Sequence, residues 1–118
     1  MSVPVDLDAL ESTATALGAE ALLVTVSDAA TPHVVSTLVR WHDGTIETGA
    51  GRRTAANVAV HPVVTLLWPV AHKGAYRLIV DGDASVHGGT ITITPTFAVL
   101  HRIAGADGDG PTCLPVEG

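Results

Sequence analysis

From residue 20 to residue 103 the chain is a series of short β-branched runs, each closed by a turn signal, and this rhythm constrains the fold more than any other feature. ALLVTV (21–26) is a nearly continuous apolar run that suits a buried strand. DAATP (28–32) reads as a turn, HVVSTLVRW (33–41) as a second strand, HDG (42–44) as a tight turn and TIET (45–48) as a short third strand. VVTLLW (63–68) is a fourth strand, and a loop covers 69–75. YRLIVDGDASVH (76–87) is a fifth strand, with a bulge expected near Gly82. TITIT (90–94) alternates strictly, and FAVLHRI (97–103) follows Pro95. Runs of this spacing point to a mostly β barrel or sandwich, and closure into a barrel removes exposed strand edges.

Two helices interrupt the strands. In 6–18, Leu7, Leu10, Ala14 and Leu17 form one apolar stripe at helical spacing, with Asp6 as N-cap and Gly18 as stop. TAANVAV (54–60) is a short internal helix ended by His61-Pro62. The expected domain is 1–103. The Gly-, Pro- and Asp-rich residues 104–118 read as a flexible tail.

Composition narrows the function classes. With 47% hydrophobic and 15% charged residues in 118, the chain supports one folded core rather than disorder. Six basic against twelve acidic residues argue against nucleic acid as partner. No apolar run reaches the roughly 18 residues of a membrane span. The N-terminus MSVPVDLDAL carries acids where a signal peptide needs bases, and the single Cys113 suits a reducing compartment, so the expected location is cytoplasmic. The six histidines show no HxH or HExxH spacing, so no metal site is expected. No G-x-S-x-G marks a serine hydrolase.

The corner TGAGRRT (48–54) carries the chemistry. Gly49 and Gly51 lead into Arg52 and Arg53 at the start of a helix. A helix N-terminus already offers unpaired N–H groups and partial positive charge, so two arginines there add like charge at a cost of roughly 0.3–1 kcal/mol each. A bound anion reverses that sign, and the glycines let backbone approach it closely. Thr48 and Thr54 are candidate hydroxyl donors. Residues 48–80 hold Arg52, Arg53, Lys73 and Arg77 and no acid, a +4 segment in a chain of net charge −6. Such a focus reads as a small phosphate site. The competing reading has both arginines solvated or paired with Asp81 or Asp83. The corner lacks the G-K-[ST] ending of a P-loop.

In order along the chain stand a D-x-x-x-P-H turn (28–33), Thr48, Gly51, Arg52, Arg53, Asn57, Pro62, Leu66, Leu67, Trp68 and Pro69. This run resembles the flavin-binding split-barrel family, named after pyridoxamine 5′-phosphate oxidase, and the resemblance extends over about 6–103. It implies a six-stranded split β-barrel with an N-terminal helix and one short internal helix, forming a homodimer with FMN at the subunit interface. The phosphate would sit at 48–54. The isoalloxazine ring would lie near Val35, Ser36 and Thr48, and Arg40 would reach toward the phosphate. Trp68 has two readings: packing in the core, or walling the cofactor cleft. Thr54 departs from the lysine that many members carry. The chain also ends without the Trp- and Arg-containing segment of true pyridoxamine-phosphate oxidases, so vitamin B6 oxidation is not implied. The resemblance leaves three functions open: an FMN-dependent oxidoreductase acting on a small-molecule substrate or electron donor, a deazaflavin-dependent reductase, or a non-catalytic flavin-binding module.

Overall fold

Side chains alternate across a strand, so an apolar run of period two needs a core on one side only. The chain meets that demand with one antiparallel sheet. The structure is a computed structural model describing residues 2–70 and 75–102. Its elements are β1 (Ser2–Pro4), α1 (Leu7–Leu17), β2 (Glu20–Val26), β3 (Pro32–Leu38), β4 (Arg40–His42), β5 (Thr45–Gly49), α2 (Arg52–Val60), β6 (Val63–Leu67), β7 (Tyr76–His87) and β8 (Thr90–Arg102). The strand order is β3-β2-β6-β7-β8-β5-β4, with β1 added beside β8. The sheet curls until β3 meets β5, where the Thr37 and Thr48 hydroxyls hydrogen-bond across the seam.

The register explains the core. Leu23 pairs with Leu66, Leu66 with Val80 and Val80 with Ala98, giving one buried row across four strands. Leu10 and Ala14 of α1 and Val58 of α2 pack against this inner face. Gly18 ends α1 at φ 107°, a conformation open mainly to glycine. Asp6 stands at the N-cap position without a side-chain cap bond. The His61 N–H closes α2 on the Asn57 carbonyl, and Pro62 follows.

Four expectations change. The strand expected at 33–41 is two strands, and the Val39 N–H bond to Ala19 O at 2.8 Å is the last rung of the first before the chain changes partner. β3 then pairs with β2, whereas β4 pairs with β5. Residues 90–94 and 97–103 join in the single strand β8, and the break expected at Pro95 is instead a bulge. Asp81 faces Phe97 and Gly82 faces Pro95, which leaves Thr96 as the extra residue. β1 was not read from the sequence, and α2 begins at Arg52 rather than 54. The broken second strand and β1 account for eight strands where six were expected. The predicted tail 104–118 and Cys113 lie outside the described residues.

Candidate functional site

The corner at 48–54 is built from both sides. β5 pairs with β8 through Gly49 and Thr90, and the Ala50 N–H donates to Gly89 O at 2.9 Å. The chain then enters α2 with Gly51 as N-cap, in extended geometry and without a side-chain cap bond. From below, Asn57 Nδ2 donates to Thr25 Oγ1 at 3.0 Å, tying the buried face of α2 to β2. The helix start is therefore held in place while its first turn faces outward.

That first turn contains no acid. Arg52 and Arg53 are exposed, and among the described residues neither makes an ion pair. The pairing with Asp81 or Asp83 does not form; Asp81 instead accepts a hydrogen bond from the Thr65 hydroxyl at 2.7 Å. A Cβ built on Gly49 or Gly51 meets nothing within 4 Å, so the space beside both glycines is open. Two unneutralised guanidinium groups, uncapped helix N–H groups and an open cradle form an electrostatic site for a phosphate.

Periodicity sorts the other expected site residues. Along β5, Ile46 and Thr48 face inward, so Thr48 is buried and its hydroxyl is occupied by Thr37. On α2, Thr54 shares the buried face with Asn57 and Val58. Both threonine side chains, expected as hydroxyl donors, are buried in this chain. Val35 and Ser36 lie on opposite faces of β3, so one flat ring cannot rest on both side chains. Arg40 does not join the free cations. It is 71% exposed and pairs with Glu47 at 3.4 Å across β4 and β5.

Trp68 is fully buried, and its Nε1–H donates to Gly18 O at 3.1 Å. Burying an indole contributes on the order of 5 kcal/mol, and the hydrogen bond satisfies its one polar atom. The packing reading holds, and the cleft-wall reading is corrected.

Two cavities flank the β3–β4 break. One of about 260 Å³ is lined by Glu20, Ser36, Thr37 and Leu38. The other, about 310 Å³, is lined by Thr15, Gly18, Ala19, Val39, Arg40 and Trp41. Their linings are adjacent at Ala19–Glu20 and at Leu38–Val39. Apart from Ser36 and Arg40, sequence reasoning assigned none of these residues to a site. They come from two separate segments, 15–20 and 36–41, and no local signal marks them. Among the described residues no three His, Cys, Asp or Glu side chains converge on a metal site, and no helix is long and apolar enough to cross a membrane.

A curled antiparallel sheet with a helix springing from a glycine-arginine corner defines the class, and comparison with known proteins places the chain within it. Its fold is the split barrel seen in pyridoxamine 5′-phosphate oxidase-like structures. It is 36% identical over 104 residues to uncharacterized proteins of Mycobacterium bovis and Mycobacterium tuberculosis, covering 74% of this chain and 73% of theirs. Among solved structures it is similar to a putative pyridoxamine 5′-phosphate oxidase of Listeria innocua (TM-score 0.61, 21% identity, 77% of this chain and 97% of that one). It is also similar to an FAD binding protein of Mycobacterium smegmatis (TM-score 0.57, 17% identity, 86% and 100%). A third similar structure is an F420 reductase (TM-score 0.54, 16% identity, 67% and 87%). No family sequence model matches the chain.

Proposed function

We propose that this protein binds a phosphorylated flavin-type cofactor, FMN in the first instance, and acts as an oxidoreductase on a small molecule. The carrying observation is the pair Arg52 and Arg53, free of carboxylates at an acid-free, uncapped helix start with open glycine space beside it. A flavin supplies hydride and electron transfer when bound. The protein's part is to bind and to orient. Arg52, Arg53 and the N–H groups of the first turn hold the phosphate, and Gly49 and Gly51 let it approach. Ser36, which lines the smaller cavity, presents a hydroxyl to a polar edge of the ring. The similarity to an F420 reductase supports a second reading, in which the same phosphate site holds a deazaflavin.

The same proposal includes a homodimer. The outer face of the sheet carries its own apolar row: Leu22 pairs with Leu67, Leu67 with Ile79 and Ile79 with Val99. Beside it, Val34 and Phe97 are 54% and 51% exposed. A sheet apolar on both faces favours cover on both, and a second copy supplies it.

The test is a thermal-shift titration with FMN and with the deazaflavin in parallel. At a hundredfold excess over Kd, a true ligand stabilises by about 2.7 kcal/mol. Arg52→Glu should abolish that shift and leave the ligand-free melting temperature level or slightly raised. If neither cofactor shifts the wild-type protein, the reading is wrong. Sedimentation of Val34→Asp against wild type tests the dimer, with dissociation to monomer expected.

A further inference from the structure

The middle of the apolar outer face carries two unanswered charges. Along β7, Leu78 and Val80 are buried toward the core, so Arg77, Ile79 and Asp81 point to the other side. All three are half-buried. Ile79 belongs to the apolar row of Leu22, Leu67, Ile79 and Val99, and Arg77 and Asp81 flank that row, one on each side. The Asp81 carboxylate accepts a hydrogen bond from Thr65 at Oδ1, and among the described residues neither charge has an ion pair. Four strand residues hold their backbones about 13 Å apart, and they do not meet within one chain.

Two stacked sheets keep their strands roughly aligned, and a two-fold axis in the plane between identical faces achieves this in two ways. An axis along β7 lays Arg77 on the partner's Arg77 and Asp81 on the partner's Asp81. An axis across the strands, along the apolar row, reverses β7 about Ile79. It lays Arg77 over the partner's Asp81, and Asp81 over the partner's Arg77. The first stacking gathers like charges where water is excluded, and the second neutralises both. The outer side of a curled sheet is convex, so contact centres on the middle of the strand order, where β7 lies. Facing sheets stand about 10 Å apart, a gap that an extended arginine and an aspartate span together.

We propose that a second copy of this chain stacks on the outer face with β7 antiparallel to β7 about Ile79, locked by two reciprocal Arg77–Asp81 ion pairs. The proposal rests on the homodimer reading and adds to it the orientation of the copies and the charges that select it.

Sedimentation and native mass spectrometry of charge-reversed chains test it. Arg77→Glu leaves two negative charges beside the apolar row, and Asp81→Lys leaves two positive ones. Each should raise its own dimer Kd about a hundredfold or more. Mixed in equal amounts, the two chains should form a heterodimer, because each supplies the charge that the other lacks. Both substitutions in one chain should restore the homodimer. Arg77→Gln and Asp81→Asn, which keep the side-chain shape, should each weaken the dimer about tenfold or more even where a reversal disturbs folding. The pairing is overturned if the reversed or the neutral variants dimerise as wild type does, or if folded reversed chains stay monomeric when mixed. In that event a dimeric wild type keeps the homodimer reading with another orientation, and a monomeric wild type removes both.

Discussion

Gly82 and Gly51 both sit where regular structure breaks, and their surroundings are opposite. At the β7–β8 bulge, a Cβ on Gly82 would stand 2.6 Å from Ile93 Cγ2 and 2.7 Å from the Thr94 carbonyl oxygen. The protein itself occupies the space, and the glycine is a packing requirement. At the head of α2, a Cβ on Gly51 meets nothing within 4 Å, and its φ of −74° is open to any residue. Nothing in the chain demands that glycine, so its use is to leave room for something else. The charges repeat the contrast. Near the bulge, Asp81 is satisfied by Thr65, and the bulged Thr96 donates to the Asp81 carbonyl at 3.2 Å. At the corner, two guanidinium groups stand without a counterion among the described residues. One irregularity is closed on itself and the other is open.

Four variants can break this contrast. The largest effect is expected from Arg52→Gln with Arg53→Gln. Two charge-assisted contacts removed should cost about 3 kcal/mol of FMN binding, roughly a hundredfold in Kd by fluorescence titration. Stability should rise slightly or stay level, since like charge leaves a helix N-terminus; an unchanged Kd would make the corner mere surface. Next, Gly82→Ala should destabilise by about 2 kcal/mol, because one of the two contacts is backbone and cannot turn aside. Calorimetry should then show a melting temperature lower by about 8 °C. Asn57→Ala removes the tie to Thr25 and leaves that buried hydroxyl unpaired, at a cost of about 1–2 kcal/mol by urea denaturation. The smallest stability effect belongs to Gly51→Ala, within about 0.5 kcal/mol of wild type. Its FMN affinity should nevertheless fall, and a protein that loses stability but keeps affinity would reverse the assignment of the two glycines.

Much of the local structure is legible in the residues. Leu10 and Ala14 at helical spacing mark the buried face of α1, and the glycine in YRLIVDGDASVH marks the bulge. In both cases the period or the steric freedom of one residue carries the information. The partner change at Val39 is not legible, because HVVSTLVRW is equally β-branched on either side of it. It is set by which remote strand lies alongside, β2 before Val39 and β5 after it. The same limit applies to Thr48 and Thr54. Their residue type suits a phosphate, but strand and helix phase turn them inward.

Periodicity, turn chemistry and the clustering of like charge act over a few residues. For that reason most of the strands along the chain, the two helices and the glycine-arginine corner could be read before any fold was known. Which side of a strand faces the core, which cation keeps its charge free and which remote residues share a cavity depend on how the sheet curls. Those are long-range contacts, in which Trp68 reaches Gly18 and Arg40 reaches Glu47, and short-range pattern carries no record of them.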